Sequence, residues 1–196
     1  MASKSHPGLT LMELMATVVV VGIIVIGLSM TTINIEDHYS RDTVMNNVRF
    51  YGDTVMEEIL KNISLSRTID VTNANGFSRL TLGVLDSDGN TSILRVTASQ
   101  TKGLQFNSHN PLNGNLQFPN GGRFKHLQSI KLTDFSIKQI STVQPALVGF
   151  ANSTYDVLIE ITIQPKGRDG RKFTPDVIQL NRRVFVPMKY VAQMNT

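Results

Sequence analysis

The chain carries no cysteine and no tryptophan among its 196 residues. The first absence excludes disulfides, thiolate metal sites and cysteine nucleophiles, so any folded part must be held by packing. Aromatic residues make up only 7% of the chain and charged residues 17%. Charge is missing altogether from one long interval: after Glu13 no ionisable side chain occurs until Glu36, and between them only Thr17, Ser29, Thr31, Thr32 and Asn34 are polar. The parts of an enzyme are missing too. His6, His38, His109 and His126 show no metal-ligand spacing, and there is no Gly-x-Ser-x-Gly, no phosphate loop and no pair of acids placed for acid-base work. The expectation is a protein that is not an enzyme and needs no cofactor or metal.

What fills the uncharged interval is an apolar run beginning at Met15 and reaching Leu28. About twenty apolar residues at a helical rise of roughly 1.5 Å match a hydrocarbon layer of about 30 Å, so the run is long enough to cross a membrane. Lys4 lies before it and Glu36-Asp37 after it, which favours a cytoplasmic start and a periplasmic remainder. Glu13 is the odd feature, because a carboxylate at the start of an apolar helix is costly without a partner or an interface. A secretory signal would place its small-residue cleavage site after the apolar run. Here the small residue comes before it, at Gly8, which closes the polar leader Met1 to Gly8.

The stretch Gly8-Leu9-Thr10-Leu11-Met12-Glu13-Leu14 with its apolar continuation resembles the start of type IV pilins and type II secretion pseudopilins. The resemblance covers about the first thirty residues. It implies that a prepilin peptidase cuts after Gly8 and that the new first residue, Leu9, is N-methylated. It also implies that Glu13, the acidic fifth residue of the mature chain, pairs with the free amine of Leu9 in a neighbouring subunit and so sets filament register. The partners implied are other pilin or pseudopilin subunits, the peptidase, membrane lipid before assembly, and an inner-membrane platform driven by a cytoplasmic ATPase. Pro7 stands where such leaders often carry a basic residue, and Met30 stands near the place of the mid-helix proline of many major pilins. The missing proline and the missing C-terminal disulfide loop fit a minor subunit. The competing account of Glu13 is an interfacial acid that caps the helix dipole. Gly22 and Gly27 either permit close helix packing in a filament core or are ordinary glycines of a membrane helix.

Past the apolar run, Val44, Val48, Tyr51, Val55, Ile59 and Ile63 recur at steps of four and three, flanked by Met56 and Leu60. That is one apolar stripe on an amphipathic helix. The reading is a single helix from about Leu9 to about Ser64, with a membrane or filament-core half over 9–35 and an amphipathic half over 36–66, loosened over Thr31 to Tyr39. Residues 36–66 hold six acids against three bases, and residues from 67 onward fifteen bases against eight acids, so the stalk is acidic and the rest basic.

From 67 to 190 the pattern changes to short strands, and the fold class expected is α+β, a long helix laid on an antiparallel sheet. Thr68 to Thr72 reads as a strand, and Phe77 to Val84 with Ser92 to Ala98 as a hairpin about Asp86-Ser-Asp-Gly-Asn90. Leu104-Gln-Phe106 recurs as Leu116-Gln-Phe118, which reads as two strands folded about a polar loop. Ile130 to Ile140 reads as a strand with a phase slip near Asp134. Tyr155 to Ile163 alternates most regularly, and Asp176 to Tyr190 reads as a last strand bulged at Arg182-Arg183, with a loose tail over 191–196.

Two further segments carry chemistry. Asp86-Ser-Asp-Gly-Asn90 puts its glycine too early for a calcium loop and has no closing glutamate, so a plain turn is the better reading. Lys166, Arg168, Arg171 and Lys172 form a positive loop that suits a solvated turn, with contact to DNA or another anionic surface as the alternative. Two alternatives to a filament subunit follow: an adhesive or DNA-capturing tip subunit using that loop, and an unprocessed single-pass membrane protein with a periplasmic head.

Overall fold

The structure is a computed structural model describing residues 10–85, 90–120, 128–142, 144, 147–165 and 174–194. The chain divides into two compact units, Met1–Thr43 and Val44–Thr196. Helix α1 (Leu11–Leu65) contributes residues to both.

In the first unit, every large apolar side chain from Leu11 to Ile35 is exposed. The hydroxyls of Thr17, Ser29, Thr31 and Thr32 each donate to the carbonyl four residues back, at 2.7–2.9 Å. These polar groups are therefore satisfied inside their own helix, as a solvent without hydrogen-bonding capacity requires. The same bonds accompany an unbroken helix through 31–39, where the sequence suggested loosening. This stretch of α1 is the one described segment long and apolar enough to cross a membrane.

The second unit is built from two antiparallel sheets. Strands β1 (Ser66–Ala74), β2 (Phe77–Leu85), β3 (Thr91–Ser99) and β4 (Gly103–Phe106) form a four-stranded meander. Strands β5 (Gln128–Gln139), β6 (Thr154–Pro165) and β7 (Asp176–Phe185) form a three-stranded one. Short helix α2 (Val148–Asn152) precedes β6, and α3 (Pro187–Met194) follows β7. The class is α+β, with the helix packed on antiparallel sheets, two of them where one was expected.

The core follows the alternation in the sequence. Val44, Val48, Tyr51, Val55, Met56, Ile59 and Ile63 of α1 are buried with Leu80, Leu82 and Val96 of one sheet and Leu132, Phe135, Val157, Ile159 and Ile161 of the other. Each such side chain contributes about 1.5–3 kcal/mol when withdrawn from water, so the amphipathic turn of α1 is a main source of stability here. Two hydrogen bonds tie the sheets: the Ile137 amide donates to Ser78 Oγ at 3.2 Å, and the Leu132 amide donates to the Gln100 carbonyl at 3.0 Å. The pairing of β5 with β6 shifts register between Leu132 and Asp134, where the sequence showed its phase slip.

Three expectations are corrected. Leu116 to Phe118 is not a strand; β4 pairs with β3 instead, and Phe118 is buried edge-on against Tyr51, with ring centroids 5.2 Å apart. Burial of that phenylalanine is achieved by a loop, with no ladder needed. The last strand ends at Phe185, because Pro187 has no amide hydrogen to continue a ladder and is well suited to the first turn of a helix; α3 therefore occupies the place of the loose tail up to Met194. Arg182-Arg183 is no bulge, since β7 keeps register against β6 throughout. Arg183 lies opposite Asp156 and binds it through Nε at 2.8 Å and Nη2 at 3.2 Å. That hydrogen bond holds the Asp156 carboxyl below the usual carboxylate range.

Candidate functional site

Thr10 and Glu13 close the start of α1. The Thr10 amide and hydroxyl both donate to Glu13 Oε2 at 2.9 Å, and the Glu13 amide donates back to Thr10 Oγ1 at 3.3 Å. This is a capping box, in which a residue before the helix and an acid three positions on satisfy each other's backbone donors. The spacing Thr-x-x-Glu was its signal in the sequence. Both donors land on Oε2, and Oε1 accepts no hydrogen bond among the described residues. Gly8 and Leu9 lie outside the described residues. Gly22 and Gly27 are described, and a Cβ added at either would meet nothing within 4 Å. Their helix surface is open to another chain.

Lys166, Arg168, Arg171 and Lys172 lie outside the described residues, as do Asp86 to Gly89. Among the described residues, no three His, Cys, Asp or Glu side chains come together as metal ligands.

The outer face of the four-stranded sheet holds a feature the sequence reading missed. There a groove of about 640 Å³ is lined, among the described residues, by polar side chains alone. Asp70, Thr81 and Arg95 form one row across β1, β2 and β3, and Thr72 and Arg79 pair in the next row. The groove ends at Asn107 and Ser108, two consecutive residues with left-handed φ of 49° and 69°. Asn107 is fixed there by two bonds to the Arg95 backbone: its Oδ1 accepts the Arg95 amide and its amide donates to the Arg95 carbonyl, both at 2.8 Å. The signal was present in the strict alternation of β2 and β3, which turns Leu80, Leu82 and Val96 inward and leaves Arg79, Thr81 and Arg95 on the opposite face.

No protein-family model matches the chain, and no curated protein or solved structure matches it either.

Proposed function

We propose that this chain is a structural subunit, a minor pilin or pseudopilin, of a type IV pilus or type II secretion pseudopilus. The observation that carries the reading is the first half of α1: a helix apolar on every face, exposed along its length, whose lone acid sits in its first turn with one oxygen that accepts no hydrogen bond among the described residues. Such a surface finds a stable environment in lipid or against copies of itself. A filament offers the second and gives Glu13 a purpose, since an amine at the start of a neighbouring helix neutralises it and a displaced subunit leaves both charges unpaired in apolar surroundings. The precursor would wait in the inner membrane with its leader in the cytoplasm and its head in the periplasm.

Intact-mass measurement of protein purified from its native membrane tests this. A mature chain that begins at N-methyl-Leu9 is expected. A chain that keeps Met1 to Gly8 overturns the proposal and leaves a single-pass membrane protein with an exported head.

A further inference from the structure

We infer that the groove on the outer face of the four-stranded sheet binds an acidic saccharide, with Arg79 and Arg95 taking its carboxylate or phosphate and Asp70 taking its hydroxyls. The inference is independent of filament assembly.

The placement of charge argues for it. Arg95 is directly opposite Thr81 on β2, and Arg79 is two residues from Thr81 on the same face. The two arginines are therefore diagonal neighbours, with backbone positions about 7–8 Å apart, close enough for both long side chains to meet one anion. Asp70 is opposite Thr81 on its other side, two strand spacings or roughly 10 Å from Arg95. Among the described residues the side chains of Asp70, Arg79 and Arg95 make no ion pair or hydrogen bond with one another or with any neighbour. Elsewhere on the protein the geometry for pairing is used: Arg183 grips Asp156 across two strands. Here two guanidiniums and a carboxylate share a concavity and stay apart.

The rest of the lining selects the ligand class. Among the described residues every other lining group is a hydroxyl or an amide, from Thr72, Thr81, Thr97, Ser108 and Asn107, and none is an aromatic or large aliphatic side chain. A lipid chain has nothing there to bury against. Nucleic-acid bases have no ring to stack on, and Asp70 repels a run of phosphodiesters. A ligand with one anionic group and several hydroxyls meets every feature: bidentate donors for the acid, an acceptor carboxylate and hydroxyls for the rest. A uronic acid and a sugar phosphate share that chemistry.

The test is calorimetric titration of the full-length protein in lipid nanodiscs with trigalacturonate and with glucose 6-phosphate, and with glucose and a single-stranded oligonucleotide as comparators. Saturable binding of either acidic sugar is expected, and which of the two binds more tightly identifies the acid. Arg79→Gln and Arg95→Gln should each lower that affinity by about tenfold or more, the loss of one charged hydrogen-bonding partner. Arg79→Lys, which keeps the charge and removes the fork, should fall between, and Lys131→Gln on the other sheet should change nothing. Asp70→Asn should weaken binding of the sugar while leaving inorganic phosphate binding undiminished. All four positions are exposed strand residues, so an unchanged denaturation midpoint certifies the fold of each variant. The inference is overturned if neither acidic sugar binds at millimolar concentration, if glucose or the oligonucleotide binds more tightly, or if both glutamine variants retain full affinity.

Discussion

The phenol oxygen of Tyr51, in the middle of the buried stripe of α1, accepts the Leu104 amide at 2.9 Å. Leu104 is buried at the start of edge strand β4, so this bond satisfies a backbone donor that water cannot reach. Helix and sheet are thereby joined by a specific contact as well as by apolar packing. Tyr51→Phe keeps the ring and its edge contact with Phe118 but orphans the amide. A loss of about 1–3 kcal/mol is expected, the cost of an unsatisfied buried donor, read as a lower urea midpoint with unchanged slope. Equal midpoints for the two proteins would mean that β4 shifts to recover the bond.

Burial pushes the Tyr51 phenol up to about 12 from its ordinary value near 10. The sign follows from linkage: the unfolded chain releases this proton first, so the stabilising effect is complete below about pH 10 and is lost as pH rises toward 12. Roughly 2–3 kcal/mol is at stake across that window. Ultraviolet titration should show a late ionising step that is missing in Tyr51→Phe. If the titration of Tyr51→Phe differs from that of the parent only by a step at the ordinary tyrosine pH, the Tyr51 phenol is not buried.

Gly103 starts β4 with φ of 72°, and a Cβ there would lie 2.5 Å from both Phe118 Cδ2 and Tyr51 Oη. Gly103→Ala therefore combines a left-handed backbone cost with a clash against two buried groups, together about 2–5 kcal/mol. Gly76 provides the control, because its φ is 81° and nothing lies within 4 Å of an added Cβ. Gly76→Ala should cost only the conformational part, about 1–2 kcal/mol. The difference between the two urea midpoints isolates the clash, and equal effects would refute it.

The parts of the fold that could be read from the sequence are those where burial and periodicity coincide. Val44 to Ile63 and Tyr155 to Ile163 each present one apolar face at the period of their element, and both faces are in the core. The division into two sheets was hidden, since alternation fixes which side of a strand is buried and says nothing about which strand lies beside it. The repeat Leu116-Gln-Phe118 misled for a related reason: three residues are too few to specify a ladder, and the partner of Phe118 is a ring on a helix far away in sequence. Asn75-Gly76, which turns β1 into β2 with both residues at positive φ, was a hairpin signal left unused. Pro187 was another, marking where a strand had to stop. At the candidate site, Glu13 was identified from its isolation, but Thr10 was not, because a cap is a relation between two residues and the apolar run drew attention to only one.

Whether Glu13 serves as a cap or as a register charge can be separated by three substitutions. Glu13→Gln keeps an oxygen for the Thr10 donors, and glutamine is accepted at this position of a capping box, but it cannot neutralise an amine. Thr10→Ala removes the capping hydroxyl and leaves the charge. Glu13→Ala removes both. If the charge sets register, Glu13→Gln and Glu13→Ala should both abolish incorporation into filaments while membrane insertion and processing persist, and Thr10→Ala should assemble almost normally. If the cap is the whole role, the ranking inverts: Glu13→Gln assembles, while Thr10→Ala and Glu13→Ala share a defect from a frayed first turn, a loss of about 1 kcal/mol. Cross-linking yield in sheared filament fractions reads the difference. Oε1 accepts no hydrogen bond among the described residues, which favours the first ranking, since one oxygen then holds the cap and the other can meet a neighbour's amine.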